Sequence, residues 1–204
     1  MERGKTYRDR FRYNKNFKIQ EKMLIDYLKS IVPPFTSVLE LGCGFGRITK
    51  LIISNFSDIQ TYTAVDLSPH QIQNAREYLI SGTKNKVASD GIEVEFIVSD
   101  IKSFQTNRKY DLVISVEVLL HILPSEIADI MAKLVRLSYH HIINLDYYQE
   151  KADFLAPHNF LHQYEDIYKE IPSVLAVNRV IIEKNGIFSK VDTKQSIFHA
   201  TVRK

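Results

Sequence analysis

The sequence predicts an α/β fold: a doubly wound, mainly parallel sheet with helices on both faces. Three observations carry that expectation. Short apolar strands alternate with amphipathic stretches of helical length, and a glycine cluster follows the first strand. Near the C-terminus the alternation stops, and two strand-like segments follow one another with no helix-length connector. The chain has 204 residues, 45% hydrophobic and 25% charged, which suits one domain with its own core and is too apolar for disorder.

The elements follow in order. From Ile19, the residues Met23, Leu24, Tyr27, Leu28 and Ile31 recur at helical spacing until Pro33-Pro34 stops the helix. SVLEL reads as a short buried strand that runs into Gly42-Cys43-Gly44-Phe45-Gly46, and RITKLIISNF continues as a helix. TYTAVDL is the second strand. PHQIQNAREYLISG is a helix opened by Ser68 and Pro69 and closed by Gly82, and IEVEFIVSD is the third strand. DLVISVEVLL is a fourth strand running into a turn, PSEIADIMAKLVRLS a helix with Pro124 at its start, and HHIINLDYY a fifth strand. The interval from Tyr147 to Tyr164 has no clear period and reads as a loop over one end of the sheet. VLAVNRVIIEKNGIF and TKQSIFHATVRK are strands that can pair antiparallel, giving a mixed edge.

Composition narrows the setting. A single cysteine, Cys43, forbids an intrachain disulfide and a paired-cysteine zinc site, so a reducing, cytoplasmic location is expected. The greasiest run, Leu112 to Leu120, is short and carries Glu117, and the N-terminal MERGKTYRDRFRYNK lacks the apolar core of a signal peptide. No membrane partner is expected. Residues 1–22 hold eight cations against three acids, while the whole chain is only +3, so the basic character sits in an N-terminal arm. The expected organisation is an arm over residues 1–17 and one domain over 18–204.

Ligands of parallel sheets bind outside the carboxyl ends of the strands, and three strands end in or near an acid: Glu40, Asp66 and Asp100. Gly42, Gly44 and Gly46 let the backbone turn tightly against a ligand, and the helix that follows offers unpaired N–H groups. Asp66 lies 24 residues after Gly42, where a carboxylate can accept both hydroxyls of a ribose. The glycine spacing differs from the dinucleotide fingerprint, and Glu40 would sit badly beside a pyrophosphate but can serve an ammonium group. A nucleoside cofactor bearing an amino acid fits best; a mere tight turn with helix caps is the plain alternative.

VLELGCGFGR, TAVDLS, FIVSDI and DLVISVEVLLHI, in that order, resemble the successive motifs of the class I S-adenosylmethionine-dependent methyltransferases, over roughly residues 18–147. The resemblance implies a Rossmann-like seven-stranded sheet with an antiparallel last strand, and S-adenosylmethionine as cofactor with S-adenosylhomocysteine as product. It implies that Glu40 and the backbone around Gly42, Gly44 and Gly46 hold the methionine moiety, and that Asp66 takes the ribose. Asp100 would bond the adenine amino group between Leu67 and Ile101, and Ser115 to Glu117 would border the transferable methyl.

Methyl transfer from a sulfonium asks mainly for alignment, so a base is needed only for a poor nucleophile. Candidates are His121, Tyr13 and Asp146; His121 can equally pack under the next helix, and Asp146 can fix a loop. The only cysteine lies in the glycine loop, which excludes the cytosine carbon-5 chemistry of this family, and SVEVLLH lacks the motif of enzymes acting on adenine or glutamine amino groups. Glu117, His121, His158 and His162 could together hold a divalent metal, as in methyltransferases of small-RNA 3′ ends, but Leu120 stands where that pattern has Glu. No metal is therefore expected. Tyr7, Phe11, Tyr13 and Phe17 interleave with the arm's cations, which suits either a lid over the site or contact with nucleic acid. The reading is methyl transfer to O or N of a small acceptor, neutral or anionic, recognised by the N-terminal lid and the Tyr147 to Tyr164 loop. The alternatives are an RNA methyltransferase, in one version metal-assisted and 2′-O-directed, and a regulatory protein that binds the cofactor without turnover.

Overall fold

The computed structural model describes residues 15–80, 92–148, 154–182 and 194–203. In chain order these form α1 (Lys15–Leu28), β1 (Ser37–Leu41), α2 (Arg47–Asn55), β2 (Thr61–Asp66), α3 (Pro69–Ile80), β3 (Glu93–Val98) and β4 (Tyr110–Val116). There follow a 3-10 turn (Leu119–His121), α4 (Ile127–Leu137), β5 (Ser138–Tyr148), β6 (Phe154–Ala156), β7 (Asn159–Phe160), α5 (Tyr164–Lys169), β8 (Val174–Ile182) and β9 (Lys194–Val202).

Seven strands make one sheet in the order β3-β2-β1-β4-β5-β9-β8. Neighbours from β3 to β5 run parallel; β9 runs antiparallel to both β5 and β8, as the missing helical connector predicted. The chain winds outward from β1 to β3 and then returns to the other side of β1 with β4. The strand order therefore reverses between β1 and β4, where a crevice opens at the carboxyl ends.

Each face of the sheet buries its own core. One holds Val38, Tyr62, Ala64, Leu112, Ile114, Ile143, Leu145 and Ile197 against α1 through Leu24, Ile25 and Leu28, and against α2 and α3. The other holds Leu39, Val65, Val113, Ile142 and Phe198 against Ile127, Ile130, Met131, Leu134 and Val135 of α4 and against Tyr164 and Tyr168 of α5. Residues two apart on a strand face opposite cores from their neighbours, and the i, i+3, i+4 spacing on α4 places its stripe on the sheet. Full burial of one such aliphatic side chain is worth about 1.5–3 kcal/mol.

A hydrogen-bonded chain latches α1 to the sheet. His141 Nε2 meets the Pro33 carbonyl at 2.8 Å, His141 Nδ1 meets His199 Nε2 at 3.0 Å, and His199 Nδ1 meets the Tyr27 hydroxyl at 2.9 Å. The carbonyl only accepts, so His141 Nε2 donates to it. With both rings neutral, His199 then donates to His141 and Tyr27 donates to His199, and every contact is matched. Burial pushes the His141 pKa down and that of His199 down to about 4, so both rings are neutral at pH 7.

The interval from Tyr147 to Tyr164 differs from the expected loop. β5 extends through Tyr148, residues 154–160 form a two-stranded hairpin with His158 at a φ of +66°, and α5 follows. Strands of two and three residues and a six-residue helix are too short to show a period, and long-range packing creates them. Residues 1–14 of the expected arm, Gly82 and the Asn185-Gly186 turn lie outside the described residues, while residues 15–17 open α1.

Candidate cofactor site

At the end of β1 the chain enters the glycine loop with φ of +75° at Gly42, +54° at Gly44 and +83° at Gly46. The three glycines serve different needs. A Cβ on Gly42 would lie 2.3 Å from Val118 Cγ2, and one on Gly46 would lie 3.1 Å from Ala75 Cβ, so these two allow protein packing. A Cβ on Gly44 would meet nothing within 4 Å: its free side faces open space above the loop. The loop is anchored by the Gly42 and Cys43 amides, which donate to the Val65 carbonyl at 2.8 and 2.9 Å.

Asp66 closes the loop from the next strand. Its Oδ2 accepts the Gly44 amide at 2.8 Å and its Oδ1 accepts the Ser68 amide at 2.9 Å. The Ser68 hydroxyl in turn caps α3 by accepting the Gln71 amide at 3.3 Å. One bond per oxygen leaves each with a further lone pair, the capacity needed to accept two hydroxyls.

Glu40 is 2% exposed and lies under the loop, with Thr49 Oγ1 donating to its Oε2 at 2.5 Å and Tyr62 Oη at 2.7 Å. Burial pushes its carboxyl up, while Thr49, Tyr62 and Arg47 oppose the shift. Those hydroxyls orient Oε2, so any contact with a ligand's ammonium falls to Oε1. Asp100 Oδ1 accepts the Lys102 amide at 2.7 Å, and Lys133 Nζ fixes the same turn through the carbonyls of Ile101 and Lys102 at 2.9 and 2.8 Å. Leu67 is 69% exposed at the end of β2, while Ile101 is half-buried beyond β3.

After β4 the backbone turns left-handed at Glu117, φ +57°. Its Oε1 accepts Gln20 Nε2 of α1 at 3.1 Å and Gln195 Nε2 of β9. Gln20 Oε1 accepts Arg47 at 2.9 Å, and Arg47 pairs with Glu21 at 3.0 Å. An Arg47–Gln20–Glu117–Gln195 chain thus crosses the carboxyl ends of the strands and holds α1 over them. Neither glutamine was expected, because a polar residue in a helix or strand pattern carries no sign of its distant partner.

The base candidates separate. Tyr13 lies outside the described residues. His121 is exposed in the 3-10 turn, with Nδ1 3.2 Å from the His158 carbonyl. Asp146, the third candidate, has no exposed surface, and burial pushes its carboxyl well above the usual carboxylate range. It bonds Asn144 at 3.3 Å and the backbone at Val118 and Leu120, so it pins the turn after β4. The four residues named for a metal do not converge. Glu117 is bound by two amides, His121 lies against His158, and His162 is buried with Nε2 3.0 Å from the Ile122 carbonyl. Among the described residues no group of three acids, histidines or cysteines could hold a metal ion.

No helix among the described residues is long and apolar enough to cross a membrane. The profile of a family described as "Methyltransferase domain" matches residues 38–139. The malonyl-acyl-carrier-protein O-methyltransferase of Acetivibrio thermocellus is 35% identical over 106 residues, 50% of this chain and 34% of that protein. Its counterpart in Anoxybacillus flavithermus is 33% identical over 114 residues, 56% of this chain and 38% of that protein. The chain thus spans little more than a third of these curated relatives. Among solved structures, the N-methyltransferase NodS of Bradyrhizobium japonicum WM9 in complex with S-adenosylhomocysteine superposes with a TM-score of 0.71 at 15% identity, covering 96% of this chain and 91% of that one. The magnesium protoporphyrin IX methyltransferase of Synechocystis PCC 6803 with bound S-adenosylmethionine gives 0.66 at 17% identity, covering 92% and 80%. These likenesses establish the fold.

Proposed function

Because the chain belongs to the methyltransferase-domain family, which spans half of it, we propose that it is an S-adenosylmethionine-dependent methyltransferase acting on O or N of a small-molecule acceptor. The observation that carries this reading is the open side of Gly44, bordered by an amide bonded to a carboxylate on the neighbouring strand. That cradle fits a ligand with a sugar edge and an amino-acid arm.

In this reading Asp66 accepts the ribose hydroxyls with its remaining lone pairs, while the backbone of Gly42 and Gly44 and Oε1 of Glu40 hold the amino-acid end. Gly46 brings α2 and α3 together. Leu67 and Ile101 cover the faces of the base, and Asp100 accepts its amino group. When bound, the cofactor supplies a methyl group already activated on a sulfonium, so the protein's part is alignment and charge. Glu117 borders the transferable methyl. His121, exposed at the same rim, is the proton acceptor if the acceptor is a hydroxyl. Tyr13 would act only if the arm folds over the site as a lid. The single buried cysteine suits a reducing compartment, and we place the protein in the cytoplasm.

Calorimetric titration of the purified protein with S-adenosylmethionine and S-adenosylhomocysteine, with NAD as control, tests this. Micromolar binding of both sulfur nucleosides and none of NAD is expected. Binding of NAD alone would replace the reading with a dehydrogenase-like one.

A further inference from the structure

We propose that the acceptor is an amine, bound through two N–H bonds to Glu117 and Gln195; this rests on the methyl-transfer reading of the same site. Three features of the rim beside the glycine loop carry it. Both glutamine amides reach one oxygen of Glu117, Oε1, and leave Oε2 outside those bonds. A carboxylate accepts only, so Gln195 must present its nitrogen to Glu117 and its carbonyl oxygen away from it. That carbonyl, Gln195 Oε1, is buried without a partner on a residue 3% exposed. A buried acceptor with no donor is a cost that a ligand's N–H would remove.

Glu117 and Gln195, joined by one hydrogen bond, each keep an acceptor oxygen outside it and so select for a donor of two bonds. A neutral primary amine has two N–H groups, for Glu117 Oε2 and Gln195 Oε1, with its lone pair left on the opposite side. A hydroxyl has one hydrogen and would leave one acceptor unpaired. A carboxylate would meet only acceptors and a like charge. Arg47, bonded to this chain through Gln20, does not change the balance, because it is paired with Glu21.

In the transfer, the amine nitrogen's lone pair forms the new N–C bond while the C–S bond breaks with its electron pair going to sulfur. The nitrogen becomes cationic and passes one proton to water. Positive charge therefore grows on nitrogen in the transition state, where the Glu117 carboxylate stabilises it more than in the ground state. The left-handed backbone at Glu117 and its two amide partners hold the carboxylate in place before the acceptor arrives.

The test measures methyl transfer by the full chain to matched probes: benzylamine and octylamine, benzoate and octanoate, benzyl alcohol and octanol. Turnover of the amines in preference to the other two classes is expected. Glu117→Gln should lower kcat/KM for amines on the order of 100-fold, and Gln195→Leu about tenfold, read in folded protein that still binds S-adenosylhomocysteine. Methylation of the carboxylates or alcohols in preference, or of no amine, by protein that binds S-adenosylhomocysteine overturns this proposal alone. So does unchanged amine turnover in Glu117→Gln. Failure of the parent to bind S-adenosylhomocysteine overturns the methyl-transfer reading and this one with it.

Discussion

At the amino end of β4, Asp111 Oδ2 accepts the Thr36 amide and hydroxyl and the Ser37 amide at 2.9 to 3.0 Å, and the Ser37 hydroxyl accepts the Asp111 amide at 2.9 Å. Burial raises the Asp111 carboxyl, but these bonds outweigh it and hold its pKa below the ordinary value. At the opposite end of the same strands, Asp146 is sealed in and pushed well up, and Ser115, Tyr164, Ser196, Gln195 and Asp146 itself each keep a buried polar atom without a partner. Among the described residues, the buried side chains of one end are saturated and those of the other are not. Polar groups are normally satisfied where a fold needs only stability, so the concentration of unmet hydrogen bonds at the carboxyl end marks where a ligand is expected.

The sharpest way to break this contrast is inside the glycine loop. Gly42→Ala drives a Cβ into Val118 at a left-handed φ and should cost about 2–4 kcal/mol in denaturant unfolding. Gly44→Ala meets no atom, so it should cost only about 1–2 kcal/mol for the left-handed φ while still weakening S-adenosylhomocysteine binding at least about tenfold by calorimetry. Equal losses of affinity and stability in the two variants would mean that Gly44 is also a packing glycine.

The pH dependence of stability sharpens the account away from the site. The folded pKa values of His141 and His199 lie below the unfolded value of about 6.5, so the unfolded chain binds more protons in this range. Their contribution is fully present above pH 6.5 and lost as pH falls toward about 4, where His199 titrates. Melting midpoints from pH 7.5 to 5 should fall more in the parent than in His199→Asn. A parallel fall in both would remove the latch from the account. A smaller effect is expected for Tyr27→Phe, which removes one bond of the latch and should cost about 1 kcal/mol at pH 7.5 in the same melts.

Much of the architecture was legible because strand and helix periods run over five residues or more. β1, α2, β2, α3, β3, β4, α4 and β5 fall within a few residues of their expected places, and the antiparallel β9 followed from a connector without helical length. The glycine loop and the Asp66 carboxylate beside it were legible because turn chemistry and strand ends leave local marks. The hairpin at residues 154–160, α5, and the Gln20–Glu117–Gln195 contacts were not. They depend on residues 97 and 78 positions apart, and nothing local to Gln20 or Gln195 distinguishes either from a solvated polar side chain. Asp146 was left between two roles for a related reason: a strand-end acid looks the same in sequence whether it faces a crevice or lies under a turn.

The most direct measurement sets the two ends against each other in paired variants, Asp66→Asn and Asp111→Asn, each assayed for S-adenosylhomocysteine affinity and for unfolding free energy. Asp66→Asn should lose at least about tenfold in affinity, 1.4 kcal/mol, and only about 1 kcal/mol of stability, because its Nδ2 must face the Gly44 or Ser68 amide. Asp111→Asn should lose about 1–3 kcal/mol of stability with affinity unchanged. If affinity instead tracks stability in both variants, the carboxyl end is not a binding site set apart from the frame, and the account fails.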